Sequence, residues 1–233
     1  MLQRISTRVY CWSEIHGAAR NEPYPWNSFA VILPEERALA LIDPLPLSAG
    51  ELAELEQLGK PTHILLTCEY HIRNSEVYRD RWGGKILADA TEVDRYRFPL
   101  DGSFHHGDRL WDLVEVIQVP DAGRRRGDRS YPEVALLVRD GGGVLILGDM
   151  LSGGRKDQGI PEGQIGISGP EYVFDLNSAR RGLRRLLDHS FEVLCFGHGT
   201  PVSEEPKARL RQFLDSDQSW ELLEEMKRSR PVP

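Results

Sequence analysis

Four short apolar runs in this 233-residue chain break off at residues that can hold chemistry. Ala38–Ile42 stops at Asp43, and Ile64-Leu65-Leu66 stops at Thr67, Cys68 and Glu69. Val144–Leu147 runs into Gly148-Asp149, and Phe191–Phe196 runs into Gly197-His198-Gly199. Apolar runs of this length, bounded by turn residues, read as buried strands. A rigid strand fixes the residue at its end far better than a free loop does. If the four ends share one edge, they converge on one site. The richest end is Pro61–Arg73, where Cys68, Glu69, Tyr70 and His71 follow one another.

The intervening segments supply further strands and helices. Ile5–Trp12 reads as a strand, and Gly17–Asn27, with Pro23 and Pro25, as a loop. Ser28–Leu33 and Ala38–Ile42 form a hairpin around Pro34–Arg37. Ser48 is placed to cap a helix over Ala49–Leu58, with Gly59 at its end. The pattern predicts a helix over Asn74–Trp82, a short strand over Lys85–Ala88 and one or two helical turns over Thr91–Arg97. Arg109–Val119 reads as one long strand, and Glu133–Val138 with Val144–Leu147 as a second hairpin. Ser152–Pro170 is glycine-rich and aperiodic, a long loop. Asn177 or Ser178 would cap a helix over Ala179–His189, and two more helices follow at Lys207–Leu214 and Ser219–Met226. No linker divides the chain, so residues 1–233 are expected to form one mixed α/β domain.

Composition excludes several functions. Forty per cent of the residues are hydrophobic, enough for a sizeable core. A formal net charge of -7 argues against a nucleic-acid footprint. No apolar run approaches the roughly 20 residues of a membrane span, and the first residues lack a signal-peptide core. Cys11, Cys68 and Cys195 are few, odd in number and dispersed, which suits a reducing cytoplasm. The expected partner is a small molecule. A homodimer is compatible with the sequence, but nothing in it selects one.

With these segments in this order, the chain resembles the metallo-β-lactamase superfamily. Leu41-Ile42-Asp43-Pro44 is similar to its hIDPG segment, with Leu45 in place of glycine, and Ile64–Thr67 to the strand before its T-H-x-H-x-D-H motif. Val119-Pro120-Asp121 is similar to the strand that delivers a third histidine, Val144–Asp149 to the strand whose aspartate bridges two metals, and Cys195–Gly199 to the closing P-G-H-G. The resemblance implies a four-layer αβ/βα sandwich, two mixed sheets flanked by helices, with the site at one sheet edge. It implies hydrolytic chemistry at one or two Zn²⁺ or similar ions.

The ligand motif itself departs from the family pattern. Aligned from Thr67, its four ligand positions hold Cys68, Tyr70, Ile72 and Arg73, and the third histidine falls at or near Ala122. Only Asp149 and His198 keep the expected type. Glu69 and His71 lie between the ligand positions and are expected to point elsewhere unless the loop is rewound. The metal candidates are therefore Asp149 and His198, with Cys68 and His71 as non-standard additions. Each has an ordinary alternative: a turn-capping aspartate, a loop histidine, a small buried thiol. Arg73 is expected to pair with Asp149 where no metal is held. The basic loop Arg124–Arg129 reads as a solvated loop or an attractor of anionic substrates, and Arg180, Arg181, Arg184 and Arg185 as a wet helix face.

Two readings stay open. In the preferred one the metal site is largely lost, no cofactor is held, and the cleft binds a small ligand or a partner. In the other, a single divalent ion (zinc, manganese or iron) serves an unusual hydrolase acting on an ester, thioester, lactone or phosphoester.

Overall fold

The computed structural model describes residues 1–17, 23–120, 122, 125, 126, 129, 130 and 132–230, with residues 125, 126, 129 and 130 described by backbone alone. The first sheet holds seven strands in sequence order: β1 (Gln3–Arg4), β2 (Val9–His16), β3 (Tyr24–Ile32), β4 (Ala38–Ile42), β5 (Lys60–Leu65), β6 (Lys85–Asp89) and β7 (Gly102–Phe104). It is antiparallel from β1 to β4 and parallel from β4 to β7. The second sheet contains β8 (Arg109–Leu110), β9 (Val114–Val119), β12 (Glu133–Val138), β13 (Val144–Leu147) and β14 (Val193–Phe196), in the order β14-β13-β12-β9-β8. A small ribbon, β10 (Arg125–Arg126) with β11 (Arg129–Ser130), stands apart. The side chains of the basic loop Arg124–Arg129 lie outside the described residues.

Helices cover both outer faces: α1 (Ala49–Leu58) and α2 (Ser75–Trp82) on the first sheet, and α3 (Leu176–Arg184), α4 (Pro206–Asp215) and α5 (Asp217–Ser229) on the second. β4 shows how sequence sets this layering. Its residues alternate, with Leu39 and Leu41 in the helix-side cluster and Ala38, Ala40 and Ile42 between the sheets. A strand covered on both faces is apolar throughout, which is why Ala38–Ile42 reads as an unbroken apolar run. The inter-sheet core packs Phe29, Val31 and Leu65 against Val116, Val134 and Ile146. The result is the expected four-layer sandwich.

Local signals hold at α1, where Ser48 and Glu51 form a capping box, and at Gly83, left-handed at φ 71° after α2. Three expectations need correction. β3 starts at Tyr24, so part of the expected loop Gly17–Asn27 is strand; Pro25 is tolerated near the strand's start, opposite Ile15. Arg109–Val119 is two antiparallel strands, because Trp111 and Asp112 turn the chain at positive φ. Helix α3 begins earlier than expected, since Asp175 caps it by accepting from Ser178 N, and it ends in a 3-10 turn over Arg185–Asp188. Arg180 and Arg184 also do more than face water, because both donate to Leu214 O and tie α3 to α4.

The parallel pairings decide where the site forms. β4 and β5 run side by side with Ile42 opposite Leu65, so Asp43 and Thr67 emerge together. β13 and β14 do the same with Leu147 opposite Phe196, so Asp149 and His198 emerge together. Asn27 joins the two edges: its Nδ2 donates to Phe196 O at 2.8 Å and Gly199 O at 2.7 Å, and its backbone N to Gly197 O at 2.9 Å.

Candidate metal centre

After β5 the chain passes through extended Cys68 into one 3-10 turn, Glu69–His71, and then through Arg73 at φ 45°. This rewinds the loop. His71, expected to face away, turns into the site and is 3% exposed, while Tyr70, at the position of the family's second histidine, is 46% exposed at the rim. Glu69 does face away from the ligands, onto Arg95 at 3.0 Å. Ile72 packs against the helix-side core, and Ala122 is buried in the core beneath α3.

Asp43 organises His71. Its carboxylate accepts from Thr67 N at 2.9 Å, from Thr67 Oγ1 at 2.6 Å and from His71 Nδ1 at 2.8 Å. A carboxylate flanked by such donors accepts, so Nδ1 carries the proton and Nε2 is turned toward Asp149. That nitrogen makes no hydrogen bond and lies 3.3 Å from Asp149 Oδ1. His198 reaches the same Oδ1 with Nε2 at 2.8 Å, and its Nδ1 is buried without a hydrogen-bond partner. Asp149 N donates to the buried Glu133 Oε2 at 2.9 Å. Ligand atoms of Cys68, His71 and Asp149 lie within 4.8 Å of one another.

The approach of the two edges requires glycine at two positions. A Cβ on Gly197 would stand 2.7 Å from His71 Cε1, and one on Gly148 would stand 2.5 Å from Thr67 Oγ1. Both distances are closer than side-chain contacts allow.

Burial and charge act differently on the titratable groups. Burial and the nearby Arg73 disfavour a charged His71, but Cys68, Asp149 and Asp43 around it outweigh both and hold its pKa well above the ordinary value. His198 is dominated by burial, which Asp149 only partly offsets, so its pKa falls to about 4 and it is neutral at neutral pH. Burial raises the Cys68 thiol to about 11, with His71 opposing.

The structure thus brings together all four sequence candidates, Cys68, His71, Asp149 and His198. The expected Arg73–Asp149 pair is corrected: among the described residues Arg73 makes no ion pair. Its left-handed backbone sends Nη1 to Asn27 O at 2.6 Å and Asp43 O at 2.9 Å, with the guanidinium 5.6 Å from the Trp26 ring centre. Sequence reasoning did not assign roles to Asn27 or Glu133. Glu133 carried a signal, as the one charged residue in an otherwise apolar strand.

A cavity of about 480 Å³ opens over the cluster, lined by His71, Asp149 and His198 at one end and by Tyr24, Trp26 and the 155–172 segment around the rest. The residues fit one divalent ion. The buried His71 Nε2, without a hydrogen-bond partner, meets a carboxylate and a thiol, and a carboxylate stands behind His71 as it does behind metal-bound histidines. Three protein ligands with an open position is the catalytic pattern, and mixed nitrogen, sulfur and oxygen donors suit zinc or iron.

No curated protein matches the sequence. Among solved structures, the chain is similar to the DIM-1 metallo-β-lactamase exposed to ceftazidime, with TM-score 0.68 and 12% identity over 95% of this chain and 96% of that one. It is also similar to the mono-zinc form of the FIM-1 metallo-β-lactamase from Pseudomonas aeruginosa, with TM-score 0.65 and 12% identity over 92% and 94%. A mutant flavo di-iron protein from Thermotoga maritima gives TM-score 0.66 and 15% identity over 92% of this chain and 61% of that longer one. At these identities the likeness is one of fold. The sequence model of the metallo-beta-lactamase superfamily, however, matches residues 2–216, nearly the whole chain. By that match, and with strand ends meeting as described, the chain belongs to the metallo-β-lactamase superfamily.

Proposed function

We propose that this protein is a metal-dependent hydrolase with a rewired mononuclear centre held by Cys68, His71 and Asp149, with His198 at its edge. The observation that carries the reading is His71, whose Nδ1 is fixed by Asp43 at 2.8 Å while Nε2 is left facing Asp149. When bound, the ion would acidify a water and polarise a carbonyl or phosphoryl oxygen, which suits a small ester, thioester, lactone or phosphoester. The chain's own residues set the rest. Asp43 holds the proton on Nδ1 of His71, burial keeps His198 neutral, and Tyr24 and Trp26 wall the cavity against water. Three buried cysteines without disulfides support the cytoplasm as its location. No helix among the described residues is long and apolar enough to cross a membrane.

One observation favours the second reading, a metal-free relative that binds a ligand in the same cleft. A protonated His71 between Asp43 and Asp149 would balance charge without an ion, the role the sequence assigned to Arg73. Metal content decides between them. The full chain, purified without chelator and incubated with Zn²⁺, Mn²⁺ or Fe²⁺, is expected to hold about one equivalent by inductively coupled plasma mass spectrometry, and Asp149→Asn to lose it. No metal under any loading condition would leave the second reading.

A further inference from the structure

The cavity has a second chemical wall besides the ligand cluster. Its wall is the 155–172 segment, which contributes Arg155, Gln158, Glu171 and Tyr172. Arg155 is the obvious candidate to attract an anion there, but it is already engaged. Its Nε donates to Asp157 Oδ1 at 3.0 Å, its Nη2 to Asp157 Oδ2, and its Nη1 to Ser168 Oγ at 2.9 Å. The guanidinium also lies over the Tyr24 ring, 3.8 Å from its centre. Asp157 neutralises it, in the fork geometry that holds arginine most firmly.

Beside the Ser168 and Tyr172 hydroxyls, this wall holds two acceptors without donors. Gln158 Oε1 and Glu171 Oε2 are both buried without a hydrogen-bond partner. The Gln158 amide is oriented by its Nε2, which donates to Asp157 Oδ2 at 3.2 Å, so the oxygen is the atom left over. Trp26 Nε1, an unpartnered donor of a residue lining the cavity, sits on a ring centred 5.1 Å from the His198 ring, beside the ligand cluster. A buried acceptor without a donor is destabilising, and more so where it is charged. Two such atoms on one cavity wall, one of them a carboxylate, form a site that a ligand completes. With Arg155 balanced by Asp157, Glu171 leaves this wall with one net negative charge among the described residues.

We propose that Gln158 and Glu171 recognise an ammonium group on the substrate. An ammonium brings three donors and a positive charge, the complement of an amide oxygen and a carboxylate. A carboxylate or phosphate at the same place would bring only further acceptors against Glu171. The substrate class is therefore a small hydrolysable ester, thioester, lactone or phosphoester that carries an amine. Calling the bound molecule a substrate rests on the hydrolase reading; the amine preference itself does not.

The test is a ligand-observed NMR titration of the full chain with three probes of similar size: benzylammonium, benzyl alcohol and phenylacetate. Benzylammonium is expected to bind at least tenfold more tightly than phenylacetate, and Glu171→Gln to bring the two within about twofold. Gln158→Leu is expected to weaken benzylammonium severalfold while keeping the order of the probes. Equal binding of the three probes, no binding of any, or a preference that survives Glu171→Gln would overturn the inference. Circular dichroism on each variant confirms the fold. The same titration on Asp149→Asn, with metal content measured on the same samples, separates the two proposals. An amine preference there without metal in any sample would refute the metal reading alone, and metal in the wild type without an amine preference would refute this one alone.

Discussion

His71 and His198 face the same oxygen of Asp149 from opposite sheets, at 3.3 Å and 2.8 Å, and their surroundings push them in opposite directions. His71 arrives on a rewound loop with a second carboxylate behind it. His198 arrives at the family's own position, at a strand end, with no carboxylate behind it. The first is held by side chains, through Asp43 and Thr67. The second is held by backbone, through the bonds from Asn27 to Phe196 O, Gly197 O and Gly199 O. The difference teaches that a site can keep its place in a fold while half of its ligands change. The strand ends fix where ligands are needed, and a single turn of loop decides which side chain answers.

The backbone clamp gives the largest expected effect. Asn27→Ala would leave two buried carbonyls, Phe196 O and Gly199 O, without that donor. Each orphaned acceptor costs about 1–3 kcal/mol, so a loss of about 4 kcal/mol is expected in urea unfolding. Metal occupancy should fall with it, because His198 and Asp149 lose their fixed spacing. A loss under about 1 kcal/mol would show that the two edges meet without this clamp.

Next in size is an acid-side effect that separates the two histidines. His198 falls from 6.5 to about 4 on folding, so the unfolded chain takes up its proton first as pH drops. Its contribution is present above pH 6.5 and is lost as pH falls through 4, about 3 kcal/mol in all. His71 has the opposite sign. Its folded pKa is raised, so its contribution is present below pH 6.5 and is lost as pH rises through the folded value. The metal-free protein is therefore expected to be most stable near pH 6.5. Denaturant midpoints measured from pH 4 to 6.5 should rise steeply in the wild type and stay flatter in His198→Gln. Equal slopes would mean that His198 is not the group responsible.

How legible all this was in the sequence follows the same division. The four apolar runs and the residues that end them were readable, because burial on both faces leaves β4 and the last residues of β5 apolar up to the point where the chain meets the cleft. The layering followed from them. The convergence of Asp149 and His198 was readable because strand ends are rigid and carry their side chains at fixed offsets. His71 was readable only as a non-standard candidate, since one 3-10 turn shifts the inward position from residue 70 to 71 and alignment by spacing cannot detect that. Arg73 was assigned to the right neighbourhood but the wrong partner, because its left-handed backbone re-aims a side chain that spacing alone would send to Asp149. Gln158 lay in a stretch with no periodicity and Glu171 just beyond it, and only the folded wall shows them as acceptors without donors.

The smallest effect tests the rewound half on its own. Asp43 is itself left-handed, at φ 48°, a conformation that asparagine adopts about as readily as aspartate. Asp43→Asn therefore preserves the backbone and can still accept from Thr67 N. It removes the charge behind Nδ1 of His71 and allows the amide to present a donor there. Losing such a supporting carboxylate weakens metal binding about 10- to 100-fold, or about 1.4–2.7 kcal/mol. Competition with a zinc chelator of known affinity is expected to show that loss, with unfolding in the absence of metal changed by less. An unchanged zinc affinity would mean that His71 does not ligate and that only the strand-end half binds the ion. In that case the rewound loop would balance charge beside the ion rather than hold it, and His71 would drop out of the proposed centre.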